Sequence, residues 1–502
     1  MDDSGDDMGL LTFLILVPLA GSVMVGISGR WAHWPRRLAL GFSLVVLVLA
    51  ALLWARFDPA QAEYQLVESL RWAPSLGISF LVGVDGMSLF LLLLTAFLTP
   101  LSVLASWESI QEKTAAYYAL LLVLESLMMG VFLALDVFLF YVFWEAVLVP
   151  MYLLIGVWGG ERRIYAAIKF FLFTMGGSVL MLVGILFCYH LQDVQTGAPS
   201  FDLRLWQGLV MSQDTQQWLF LAFFAGFAIK IPIFPLHTWL PDAHVEAPTA
   251  GSVILAGILL KMGAYGLLRF AVPLFPEGAR TFTPAILTLA VIGILYGALL
   301  AMVQPDLKRL VAYSSVSHLG FVVLGIFSFD VAGVEGALFQ MVSHGLSTGA
   351  LFIMVGMIYD RRHTRAIEDL GGLKKSMPRF AGVFLIVLLS SMGLPGLSGF
   401  VGEFLVLLGA FQTAPPFAVA AALGVILAAI YLLWMYKRVM LGEVKNPAND
   451  HLPDLSRREG MILLPIVILI LWMGVAPSTF LRPLDGTVER FVSRTPSGAL
   501  EE

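Results

Sequence analysis

The sequence contains little of what a soluble, disulfide-linked or redox-active protein needs. It has one cysteine, Cys188, in 502 residues, which excludes an internal disulfide and a cysteine-held iron–sulfur cluster within the chain. Charge is scarce: Asp, Glu, Lys and Arg make up 13% of the residues, against roughly 25% in soluble domains. No basic run occurs and the net charge is −5, so no nucleic-acid partner is expected. Walker A loops and dinucleotide fingerprints are also missing. His318 and His344 stand singly in separate apolar stretches, without the repeated pair that two-haem ligation requires. The first residues, Met-Asp-Asp-Ser-Gly-Asp-Asp, are acidic rather than basic. The first apolar stretch is therefore expected to be a retained span, not a cleaved signal.

What is present is mostly apolar. Hydrophobic residues make up 59% of the chain and mean hydropathy is +0.87. Repeated apolar runs, each near the ~20 residues that cross a hydrocarbon core, predict an all-α polytopic membrane protein. About fourteen transmembrane helices are expected, near 8–28, 35–55, 86–106, 115–135, 137–158, 165–189, 218–240, 248–270, 284–303, 311–329, 334–359, 379–411, 417–437 and 460–480. The twelfth is long and interrupted by Gly393, Pro395, Gly396 and Gly399. Lys and Arg concentrate in the odd-numbered connections. That predicts these connections on the cytoplasmic side and both termini on the outer side.

The order of spans contains a repeat. Residues 1–114 hold spans one to three. Residues 115–270 hold spans four to eight, a first set of five, and 284–440 hold spans nine to thirteen, a second set. The last span and a tail fill 441–502. The fourth member of each set is broken, by Pro232 and Pro235 in one and by Gly393-Leu-Pro-Gly in the other. Each break has an ionisable residue beside it, Lys230 and Glu403. An odd number of spans per set makes the second set enter from the opposite face, an inverted repeat with polar sites near the midplane. The alternative is a coincidence of two kinked helices.

Lys169 falls inside the sixth span, and the intramembrane ionisable residues that stand out are Glu125, Glu145, Lys230, Lys261, His318, His344 and Glu403. A charge at the bilayer centre costs about 2.5–3.5 kcal/mol even on lenient insertion scales, so such groups are expected to face one another or water. Glu145 shares a helix face with Tyr141 and Tyr152 and is the expected counter-ion of Lys230. The competing reading is a static pair that locks two helices, although such pairs stabilise poorly compared with apolar packing. Lys261 lies between Gly257 and Gly263, which give it room or simply permit close helix packing; a snorkelling lysine is the plainer alternative. Gln340, Ser343, His344, Ser347 and Thr348 follow one helix face, either lining a file of waters or forming an interhelical hydrogen-bond seam. His318, with Ser314 and Ser317, is a shorter version. Histidine titrates near neutral pH, which suits a relay. Glu125 fits either a second acidic site or a buried neutral acid. Asp306, Lys308 and Arg309 are expected to anchor the start of span ten, and His237 and His244 to order the exit from the broken helix.

Three segments extend this reading. Lys230-Ile-Pro-Ile-Phe-Pro-Leu-His-Thr-Trp-Leu-Pro-Asp-Ala-His-Val-Glu-Ala-Pro-Thr, its continuation Ser252-Val-Ile-Leu-Ala-Gly-Ile-Leu-Leu-Lys-Met-Gly, and Asp306-Leu-Lys-Arg-Leu-Val-Ala-Tyr-Ser-Ser-Val-Ser-His-Leu-Gly resemble the signatures of the antiporter-like subunits of respiratory complex I. The resemblance covers nearly the whole chain. Subunits of cation/proton antiporters and membrane hydrogenases are related and form the rival assignment. Glu403, in Gly399-Phe-Val-Gly-Glu, resembles the branch that carries glutamate rather than lysine there, bacterial subunit M and its mitochondrial counterpart, subunit four. The resemblance implies a translocating NADH–quinone oxidoreductase in the bacterial inner membrane, with neighbouring antiporter-like subunits as partners. It implies that NADH, flavin, iron–sulfur clusters and quinone bind partner subunits, with no redox centre or metal in this chain. It also implies that protons pass by Glu145, Lys230, Lys261, His318, His344 and Glu403.

Overall fold

The computed structural model describes residues 9–30, 33–444 and 446–495. The acidic N-terminal stretch, residue 8 of the first expected span and the end of the tail lie outside the described residues. Lipid offers the backbone no hydrogen-bond partners, so a spanning segment must satisfy its own N–H and C=O groups as a helix. Among the described residues, twelve helices are long and apolar enough to cross a membrane. They are α1 (Leu10–Ile27), α2 (Trp34–Arg56), α3 (Gly86–Ala105), α4 (Thr114–Leu133), α5 (Val137–Trp158), α6 (Arg163–Thr196), α9 (Thr249–Leu274), α10 (Pro276–Met302), α11 (Leu307–Ile326), α12 (Val331–Arg362), α15 (Pro415–Met440) and α16 (Arg457–Val475). Helix α6 runs past the expected end near 189. Helix α10 begins before the expected 284, because Pro276 and Glu277 suit a first helical turn.

The seventh and twelfth expected spans are interrupted, as their prolines and glycines require. Helix α7 (Gln213–Lys230) stops at Lys230, and α8 (Trp239–Glu246) resumes after a turn. Pro232 and Pro235 lack the N–H that would continue the ladder. The Ile229 carbonyl instead accepts from the Trp239 indole at 2.8 Å. The second break separates α13 (Pro378–Ser391) from α14 (Ser398–Thr413). Gly393 and Gly396 have φ of +79° and +89° in it, a region that a Cβ disfavours.

Two elements went unread in the sequence. An antiparallel hairpin, β1 (Gln65–Ala73) and β2 (Ile78–Val84), precedes α3, with Ser69 opposite Leu81. An amphipathic helix, α17 (Ser478–Ser493), follows α16 and buries Phe480, Leu484, Val488 and Phe491. The centre of the molecule is α9, buried on all sides, with α3, α11 and α12 nearly so, while α2, α15 and α16 face largely outward. The most enclosed helices include those carrying Lys261, His318 and His344. That is the arrangement the cost of intramembrane charge demands.

Candidate functional site

Lys230 ends α7, where the helix breaks. It is 1% exposed, and its ammonium lies over the Trp144 ring, 3.8 Å from the centroid, and 3.4 Å from the Trp144 carbonyl. Glu145 is the next residue on α5. Its carboxylate makes no direct ion pair with Lys230, and its shielded Oε1 has no partner. The expected contact pair is therefore corrected to a looser arrangement, because the indole of Trp144 occupies the place beside the amine. Glu145 sits next to a local irregularity, since α5 is two helical segments that meet at Val147.

Lys261 lies in the middle of α9, between two π-helical turns, Leu255–Leu259 and Leu267–Ala271. The Leu260 N–H reaches the Leu255 carbonyl, five residues back, so the Ala256 carbonyl loses its usual donor four residues on. The Lys261 ammonium donates to that carbonyl. Such π turns recur at functional sites. The same ammonium meets His344 Nδ1 on α12 at 2.7 Å. Lys261 is fully buried, which removes the snorkelling alternative.

The neighbouring cluster joins four helices. His318 Nδ1 on α11 is 2.8 Å from Glu403 Oε1 on α14. Gln340 Nε2 on α12 donates to the same oxygen at 3.1 Å, and the Tyr431 hydroxyl of α15 is 3.3 Å from His318 Nε2. The His318 and His344 rings face each other with centroids 5.8 Å apart. Two hydrogen-bonded titratable pairs thus stand end to end. His344 Nε2 and Glu403 Oε2 are buried without partners. Part of the polar stripe is a seam: the Ser343 hydroxyl donates to that of Ser398 at 2.8 Å, and Ser398 lies 3.1 Å from Ser390.

Other expected residues stand apart. Both carboxylate oxygens of Glu125 are buried and unpartnered, away from the cluster on α4. Asp306 caps α11, accepting from the Arg309 N–H at 2.9 Å, as an anchor should. Lys308 instead turns inward and donates to the Ala247 carbonyl between α8 and α9. Three partners were missed. Arg269 on α9 is paired with Asp85 at 2.5 Å, both buried, and a charge inside Leu267-Leu-Arg-Phe-Ala was signal enough to find it. Lys169, on α6, binds Asp242 of α8 at 2.7 Å. Tyr431 gave no signal in sequence.

Broken helices and a buried line of titratable side chains define a polytopic membrane protein of the antiporter-like class. Residues 134–430 match the family described as NADH:quinone oxidoreductase/Mrp antiporter, TM, and residues 64–136 match NADH-ubiquinone oxidoreductase chain 4, amino terminus. The chain belongs to the NADH:quinone oxidoreductase/Mrp antiporter membrane family. It is 46% identical over 484 residues to NADH-ubiquinone oxidoreductase chain 4 of Marchantia polymorpha, covering 96% of this chain and 97% of the relative. It is 47% identical over 484 residues to NADH-quinone oxidoreductase subunit M of Rhodobacter capsulatus, with 93% of each covered. A chain in the structure of respiratory complex I from Thermus thermophilus with bound NADH superposes with a TM-score of 0.89 at 34% identity, over 97% of this chain and all of that one (100%). A chain of the Mrp complex from Dietzia sp. shares the fold alone, with a TM-score of 0.81 at 22% identity over 97% of this chain and 98% of that one.

Proposed function

We propose that the chain is a proton-translocating membrane-arm subunit of an NADH:quinone oxidoreductase, and that its protons move through Glu145, Lys230, Lys261, His344, His318 and Glu403. The observation that carries this reading is the pair of buried contacts, Lys261–His344 at 2.7 Å and His318–Glu403 at 2.8 Å, facing each other across one ring-to-ring gap of 5.8 Å. A proton on Lys261 passes to His344, crosses to His318 and reaches Glu403. Lys230 feeds Lys261 and is held only by the Trp144 ring and a long contact to its carbonyl, so its proton is not locked in a static pair.

Glu145 acts on Lys230 through space. Unit charges about 4–8 Å apart at an effective dielectric of about 20 interact by about 4–2 kcal/mol. Moving one charge against 100 mV costs about 2.3 kcal/mol. The two scales match, so a change at Glu145 is large enough to drive the proton onward. The energy comes from redox chemistry on partner subunits, where NADH, flavin, iron–sulfur clusters and quinone bind. Neighbouring antiporter-like subunits, lipid and internal water complete the surroundings. The chain sits in the bacterial inner membrane as fourteen spans in two inverted sets, 115–270 and 284–440, with 1–114 and 441–502 outside the repeat and both termini on the outer face. Near-full-length identity of 46–47% to oxidoreductase subunits, against 22% to the Mrp chain, favours this over a sodium/proton antiporter or hydrogenase subunit.

The test is Lys230→Ala in the assembled complex, with proton/electron stoichiometry as the readout. Pumping should be abolished or sharply reduced while NADH oxidation can still be assayed. Unchanged stoichiometry with intact assembly would sink the relay and support a purely structural subunit.

A further inference from the structure

Arg269 lies on α9 eight residues beyond Lys261, about 12 Å along the axis at 1.5 Å per residue. It is buried in the second π turn, and the relay proposed above does not use it. Its Nη1 and Nη2 donate to the two carboxylate oxygens of Asp85 at 2.7 and 2.5 Å. Nη1 also donates to the Tyr64 hydroxyl at 3.0 Å. Its Nε donates to the Tyr265 hydroxyl at 3.0 Å. That hydroxyl donates in turn to the Phe132 carbonyl at 3.0 Å, at the end of α4. All three guanidinium nitrogens are therefore engaged, and the group is held from two sides.

A cavity of about 50 Å³ adjoins this group, lined among others by Tyr64, Asp85, Gln207, Arg269, Thr487 and Arg494. One water needs about 10–15 Å³ of such volume and polar partners, so the cavity has room for several. Its walls come from the second and sixth connections, the start of α3, the end of α9 and helix α17. These lie opposite the connections rich in basic residues, on the outer face of the proposed topology. Between Lys261 and Arg269, α9 is buried throughout. Tyr265 is the only residue of that stretch with a polar side chain, and its proton is committed to Phe132.

A proton crosses a hydrogen-bonded file only when each member accepts on one side and donates on the other. A guanidinium has N–H donors and no acceptor, and it does not deprotonate in proteins. Arg269 donates outward, to Asp85 and Tyr64, and inward, to Tyr265. The direction of donation therefore reverses at this residue, and a file of waters and hydroxyls from the cavity ends there. A fixed positive charge in a narrow path also repels an arriving proton. The membrane potential drives protons back with about 2.3 kcal/mol per 100 mV, so an open path to Lys261 would short-circuit the relay.

We propose that Arg269 is a proton barrier, which stops protons in the outer cavity from returning along α9 to Lys261. It works by donating in both directions rather than by filling space. Asp85 and Tyr64 are positioning residues that hold the guanidinium across the opening. The proposal rests on the relay reading, and the test separates the two.

Arg269→His and Arg269→Lys both leave Asp85 a cationic partner. An imidazole can accept on one nitrogen while donating from the other, whereas an ammonium only donates. The assembled complex is reconstituted in vesicles without NADH. A potassium gradient with valinomycin drives protons across, and a pH dye reads the passive flux. The flux should rise several-fold in Arg269→His and stay at the parent level in Arg269→Lys. Adding Lys261→Ala to Arg269→His should return it to the parent level. A tight Arg269→His complex, equal flux in the two variants, or a flux that survives Lys261→Ala would each overturn the barrier. Normal pumping by Lys261→Ala alone would instead sink the relay. Should Arg269→His not assemble, two uncharged pairs decide. Asp85→Asn with Arg269→Gln can accept and donate, and should conduct. Asp85→Asn with Arg269→Met places an apolar side chain there and should not. Equal flux in those two would overturn the proposal.

Discussion

Glu403 holds both of its partners through one oxygen. Oε1 takes His318 and Gln340, while Oε2 is buried and unpartnered. Glu403→Gln keeps the size and one acceptor but removes the proton site. Its assembly should be normal, and its pumping rate should fall by roughly 10²-fold, the lower end of what a positioned proton-transfer group contributes. A pumping assay on inverted vesicles checks this. Ser343 differs in kind. Its hydroxyl ties α12 to Ser398 at the start of α14, so Ser343→Ala should cost about 1 kcal/mol of stability and leave proton stoichiometry unchanged. Thermal melting in detergent beside the pumping assay separates a seam residue from a relay residue.

At the scale of elements, the break between α13 and α14 positions Glu403, the acid of the proposed relay. Gly393 and Gly396 both have positive φ, and an added Cβ costs about 1–2 kcal/mol in that region. They differ in what the Cβ would meet. At Gly393 it would stand 3.1 Å from Glu403 Oε2; at Gly396 nothing lies within 4 Å. Both Ala variants should melt lower by a similar amount, but only Gly393→Ala should also impair pumping. Equal pumping in the two would mean that the free oxygen of Glu403 needs no room. The π turns around Lys261 act at the same scale. They free the Ala256 carbonyl to hold the amine and so replace some of the solvation that burial removes.

For the whole molecule, the Asp85–Arg269 pair joins the start of α3 to the end of α9. Asp85 also caps α3, accepting from the Ser88 N–H at 3.2 Å. Arg269→Ala leaves a buried carboxylate without its partner, which costs about 3–5 kcal/mol. Yield of assembled complex and melting temperature should both drop. The double variant Asp85→Asn with Arg269→Met, which removes the stranded charge, should recover much of the loss. Orientation belongs to this scale too. A tag fused after α17 should be reachable by protease from the outer face of spheroplasts, and protection there would reverse the proposed topology.

Much of this was legible in sequence because lipid is a strict solvent. Apolar runs of span length must become helices, prolines and glycines must break them, and an ionisable residue inside a run must turn inward. Lys230, Lys261, His318, His344 and Glu403 could be picked out for that reason alone. The hairpin β1–β2 and helix α17 were not legible, since both lie outside the long apolar runs that make spans easy to see. Which residues touch was not legible either. Sequence paired Glu145 with Lys230, but packing set the Trp144 ring against that amine. It set Lys261 against His344, 83 residues away, and His318 against Glu403, 85 residues away. Burial cost determines, from the chain alone, that these groups face inward. Only the close packing of α9, α11, α12 and α14 decides which of them share a hydrogen bond, because contacts of under 3 Å depend on how whole helices seat against one another.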